Sequence, residues 1–155
     1  MPQELTSVDD ISTRLGSYGL LIELSKDFSL SRPRFYGAVL KKGQYLYAGS
    51  AFGPGGIRGR VRYHLNQPKP AHWHVDDLTN VDLVQAIFIF PGVNECEVIK
   101  RFQRVTAIQT PVPGFGSSDC ATCEAHLVQM SRLTVGNSTF KSLRTASVWT
   151  NQKGK

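Results

Sequence analysis

The stretch Tyr45 to His64, YLYAGSAFGPGGIRGRVRYH, gathers tyrosines, glycines, arginines and a histidine in the order that suits gripping a phosphate. It starts as a strand, breaks in a glycine-rich turn and continues as a basic amphipathic helix, an arrangement that commonly holds an anion. In that helix Ile57, Val61 and Leu65 recur at i, i+4 and i+8 and form an apolar stripe. Arg60 and His64 lie together on one flank of the stripe, Arg58 and Arg62 on the other. An arginine flanking the stripe is half-buried and aimed across the underlying sheet. Taken alone, an arginine-rich helix can equally be a solvated face.

Glu95 is the most informative acid. Asn94 is a good N-cap and Glu97 completes a capping box, so a helix is predicted from there to about Val105. Glu95 then shares a face with Val98, Ile99 and Phe102, where a carboxylate is costly unless it is paired or binds a cation. The bland alternative is an acid in the first turn that complements the helix dipole. Tyr18 and Tyr47 each precede a glycine within two residues (Gly19 and Gly49), which allows something to approach the backbone closely. If HWHVDD were a strand, His72, His74 and Asp76 would share one face and form a metal or phosphate site; a hydrogen-bonded structural cluster is the alternative. Cys120 and Cys123, followed by His126, resemble half a zinc site on one helix, with Cys96 as a fourth ligand; plain core cysteines are the alternative.

These residues need a framework. Gly16–Leu24, Phe35–Leu40 and Tyr45–Ala48 are strand candidates, the last two joined by a turn at Lys42-Gly43, giving an antiparallel meander that feeds the basic helix. Val84–Phe90 is a buried strand ended by Pro91-Gly92. A last helix is expected from Cys120 to about Met130, then a strand or strand pair within Ser138–Trp149 and a frayed basic end. Asp9-Asp10 can cap a helical turn near the start, and 76–80 has no clear assignment.

A chain of 155 residues suits one domain. Its net charge of +6 favours a polyanionic partner only weakly, because many unrelated proteins share such a surplus. The longest apolar runs are too short to cross a bilayer and the N-terminus is polar, so no membrane partner is expected. Three cysteines, an odd number, argue against a secreted disulfide scaffold and for a reducing, cytoplasmic setting.

Gly16-Ser17-Tyr18, Tyr47-Ala48-Gly49, Arg60 and Glu95, in that order, resemble the GIY-YIG nuclease superfamily. A closer resemblance over about residues 16–130 is to a small branch of it, also found fused to endonuclease III-type glycosylases. That likeness rests on YLYAGSAFGPGGI, HWHVDDL, Glu95-Cys96 and GFGSSDC with His126-Leu127 downstream. It implies an α+β fold with a small antiparallel or mixed three-stranded core sheet, flanking helices and extra C-terminal strands in 131–155. It further implies a nuclease that hydrolyses nucleic acid, DNA ahead of RNA, with one Mg²⁺ or Mn²⁺ on Glu95. Arg60 would clamp the scissile phosphate, Tyr18 would orient or deprotonate the attacking water, and Tyr47 would bond the phosphate. His64 is an alternative base with a more suitable pKa. Gly49, Ser50, Arg58, Arg62, His72 and His74 are expected to contact substrate. Two rival readings are an inactive nucleic-acid-binding module and a zinc-stabilised interaction domain; oligomeric state is open.

Overall fold

The computed structural model describes residues 3–66, 70, 74–80, 82, 84–115, 125–131 and 143–151. The fold is α+β. Its strands are β1 (Gln3–Leu5), β2 (Gly16–Leu24), β3 (Phe28–Ser29), β4 (Val39–Leu40), β5 (Gly43–Ala51), β6 (Val84–Pro91), β7 (Ile108–Gln109), β8 (Leu127–Met130) and β9 (Ser147–Thr150). Helices are α1 (Gly56–Leu65), α2 (Asp76–Thr79) and α3 (Glu95–Gln103). Seven strands form one mixed sheet in the order β1-β9-β6-β2-β5-β8-β7, and β3 pairs β4 apart from it. The expected three-stranded core is therefore too small: β6, β2 and β5 are the long antiparallel centre, and shorter strands extend it on both sides. Among the described residues only the β1–β9 pair runs parallel.

Both faces of the central strands are covered, which is why β2 reads as an almost continuous apolar run rather than an alternation. On one face α1 sets Ile57 and Val61 against Tyr18, Leu20, Ile22, Tyr47, Ile87 and Ile89. On the other, α3 sets Val98, Ile99 and Phe102 against Leu21, Leu46, Ala48, Phe88 and Phe90. Each such side chain, fully buried, contributes roughly 1.5–3 kcal/mol of transfer free energy. The Asn94 half of the predicted capping box forms, with Asn94 accepting from the Glu97 amide at 2.9 Å. The Glu97 carboxylate turns to Arg101, one helical turn on.

Three local expectations are corrected. Residues 35–40 are not one strand, because Pro33–Phe35 closes a 3-10 turn and leaves only β4 extended. Residues 127–130 are strand rather than helix: Leu127, Val128, Gln129 and Met130 pair with β5, so the backbone bonds a helix would use are spent across the sheet. Asp76–Thr79 is a single helical turn, which rules out a strand face shared by His74 and Asp76.

Candidate active site

The α1 face of the sheet carries a buried polar cluster. Tyr18 on β2 and Tyr47 on β5 lie diagonally across neighbouring antiparallel strands and project to the same side. Gly49 stands directly opposite Tyr18. A Cβ on Gly49 would lie 2.7 Å from Tyr18 Cε2 and nearer still to Cζ and the hydroxyl. The close approach that this glycine permits is thus made by the protein's own phenol, not by substrate.

His64 comes from the last turn of α1, on the flank predicted for it, and is wholly buried. Its Nε2 is 2.6 Å from the Tyr18 hydroxyl and its Nδ1 2.8 Å from Asp76 Oδ1. Asp76, on α2, is 0% exposed as well. Arg60, one turn before His64, is half-buried; it donates from Nη1 to the Ser50 carbonyl at 2.8 Å, and its charge is close enough to act on the Tyr18 phenol. Burial, with the Tyr47 phenol beside it, pushes Tyr18 well above the ordinary range for a phenol; Arg60 pulls the other way. Tyr47 is raised too, first by burial and then by the Glu95 carboxylate, again opposed by Arg60.

Glu95 occupies the first turn of α3 with 24% of its side chain exposed, not sunk in the middle of the apolar face. Its Oε1 is 3.8 Å from Nδ1 of the buried His126, whose Nε2 lies 3.7 Å from Cys96 Sγ. Tyr18, Tyr47, Arg60 and His64 are therefore brought together, and Glu95 is close enough for its charge to act on Tyr47. Asp76, whose partner is His64, was missed as part of this cluster. The sole hint was its place in HWHVDD, twelve residues beyond His64 across a proline-broken loop, and no periodicity connects the two.

The remaining candidates fall elsewhere. The N-terminus of α1 is not a free anion site, because Ile57 N–H donates to Arg14 O and Arg58 N–H to Ser12 O, each at 3.0 Å. A Cβ on Gly56 would be 2.6 Å from the Thr13 carbonyl carbon, so that glycine admits the 12–14 segment rather than a phosphate. Arg58 donates from Nε to the Ile11 carbonyl at 2.7 Å, and Arg62 pairs with Asp9. His74 packs edge-on to Phe35 and Phe115, with ring centroids 4.9 and 5.4 Å away, and not against the tyrosines. His72, Cys120 and Cys123 lie outside the described residues. Cys96 is disulfide-bonded, which removes its thiolate from a zinc site in this state. An odd count of cysteines excludes pairing all of them, not two of them. His126 precedes β8 and its carbonyl accepts from the Ala48 amide at 2.8 Å, so it is not on a helix with cysteines.

Among the described residues, no group of three or more His, Cys, Asp and Glu side chains is placed to cage a metal ion. Glu95, a partly exposed carboxylate beside His126, fits Mg²⁺ or Mn²⁺, which keeps most of its waters and takes one or two protein oxygens. No helix among the described residues is long and apolar enough to cross a membrane.

Comparison with curated proteins and with solved structures gives no match. The family model described as domain of unknown function DUF123 matches residues 17–147, a span that takes in Tyr18, Tyr47, Arg60, His64, Asp76 and Glu95, and the chain belongs to that family.

Proposed function

We propose that this protein is a metal-dependent endonuclease of the GIY-YIG type, hydrolysing phosphodiester bonds of nucleic acid, DNA ahead of RNA. The observation that carries the reading is the placement of Arg60. Its guanidinium is tied down by the Ser50 carbonyl and its charge acts on two phenols, Tyr18 and Tyr47, the second of which also feels the Glu95 carboxylate. A held, half-buried arginine is pre-organised for a phosphate oxygen, because little side-chain freedom is left to lose on binding. Tyr47, next to Arg60 and Glu95, is placed to bond the same phosphate. Tyr18 and His64 behind it form a route by which a proton can leave the attacking side. A divalent ion on Glu95 would supply stabilisation of charge on the leaving oxygen. The surplus of +6 charges suits a polyanionic substrate.

The test is a substrate panel of single-stranded, duplex and branched DNA and RNA, with and without Mg²⁺ or Mn²⁺. Wild-type protein is expected to cut at least one DNA with either ion. Glu95→Ala and Arg60→Ala proteins that melt like wild type are expected to lose at least about 10²-fold in rate. Failure of wild type to cut any substrate would remove the nuclease reading. The complete burial of Tyr18 and His64 favours one second reading, a nucleic-acid-binding module whose polar cluster is structural; tight binding without cleavage would select it.

A further inference from the structure

The buried end of the cluster has a polarity that hydrogen-bond chemistry determines. An ionised carboxylate can only accept, so an ionised Asp76 requires the proton of the His64–Asp76 contact to be on His64 Nδ1. A neutral imidazole protonated there presents Nε2 as an acceptor, and Nε2 is 2.6 Å from the Tyr18 hydroxyl. The phenol has one proton, and with Nε2 as the acceptor that proton is given to His64. Each donor and acceptor in this series then has the role its neighbour requires, which is the condition for polar groups buried at 0% exposure to be tolerated. Among the described residues the other titratable and charged groups around the imidazole include Tyr47 on β5, at 6.2 Å between ring centroids, and Tyr63 and Arg60 on α1. Asp76 meets Nδ1 at 2.8 Å, and that contact is what sets the tautomer.

We infer that Asp76 is a positioning residue: it holds His64 in the Nδ1–H form, so that Nε2 accepts the proton of Tyr18. In catalytic terms, which rest on the nuclease reading above, the O–H bond of Tyr18 breaks as an N–H bond forms at Nε2. The electron pair stays on the phenolate oxygen facing Arg60, and the imidazolium is balanced by Asp76. The phenolate so formed takes a proton from the attacking water; the cycle closes when Tyr18 releases that proton through solvent to the leaving oxygen and His64 returns its own to the phenol oxygen. No oxidant or co-reactant is needed. Asp76 touches neither phosphate nor metal and acts only through His64.

The experiment reads the tautomer directly, apart from catalysis. Two-bond ¹H–¹⁵N correlation spectra of ¹⁵N-labelled full-length protein distinguish a protonated ring nitrogen from a bare one. Wild-type His64 is expected to show protonated Nδ1 and bare Nε2. Bare Nδ1, or protons on both nitrogens at neutral pH, overturns the inference. In Asp76→Asn, where the side chain can donate, the proton is expected to move to Nε2, with kcat down about 10²-fold or more and KM little changed. An unmoved proton or an unchanged kcat overturns the positioning role. If that variant fails to fold, Tyr18→Phe replaces it: Nδ1 should stay protonated while the Nε2 resonance shifts on losing its donor, and an unmoved Nε2 resonance overturns the inference. Wild-type protein that shows the expected tautomer but cuts nothing sinks the nuclease reading and leaves the hydrogen-bond assignment supported.

Discussion

The sharpest structural test of the cluster is Gly49→Ala. The added methyl would sit 2.7 Å from Tyr18 Cε2, where ordinary contact begins at 3.4 Å, so the ring must retreat by about 0.7 Å or more. It has little room, since Tyr18 is wholly buried and its hydroxyl is bonded to His64. Overpacking of this kind costs about 1–3 kcal/mol. Stretching or breaking the Tyr18–His64 bond leaves buried polar atoms unsatisfied, which adds about 1–3 kcal/mol. The expected loss is roughly 2–6 kcal/mol, or a melting temperature lower by about 4–24 °C for a chain of this size. Gly53→Ala, two strand residues and a turn further on, meets nothing within 4 Å and is the matched control, expected to melt like wild type. The assay is urea unfolding followed by far-UV circular dichroism, with thermal melts in parallel. A Gly49→Ala protein within about 0.5 kcal/mol of wild type would refute the claim that Tyr18 fills the space over this glycine.

Other outcomes are accessible to the same methods. Ser17 Oγ is buried and has no hydrogen-bond partner among the described residues, so Ser17→Ala is expected to stabilise by about 1 kcal/mol; a loss larger than that would show that the hydroxyl has a partner. Burial, helped by Arg32 and Arg34 and opposed by Asp77, holds the His74 pKa below its ordinary 6.5. The unfolded chain therefore binds a proton near pH 6.5 that the folded chain declines, and stability from this group is present above that pH and drains away below it. Between pH 7.5 and 5 a His74→Gln protein should lose less stability than wild type. Parallel curves would rule His74 out as a source of acid sensitivity.

Much of the site's local structure was legible along the chain. The α1 stripe of Ile57 and Val61 requires a covered helix, and with that stripe facing the sheet Arg60 and His64 necessarily flank it. Asn94 starts α3 through a contact three residues long, so no distant partner is needed to place Glu95 in the first turn. Such features depend on bonds between near neighbours, which sequence spacing reports faithfully.

What depended on distant neighbours was misread. Residues 127–130 carry no strong strand signal of their own and became extended because the edge of β5 offered them partners. The depth of Glu95 was set by where α3 docks, not by its helical face alone. The anion site at the start of α1 was lost to carbonyls of Ser12 and Arg14, some forty residues earlier in the chain. Asp76 joined His64 only because α2 packs beside α1, and a short polar helical turn announces no partner. Sequence by itself settled which residues sit on each helix face and where the central strands run, since periodicity and caps are local. Tertiary structure alone decided which polar groups end up buried together, because that requires the sheet to bring β2, β5 and the two helices to one place, and burial is what makes each hydrogen bond obligatory.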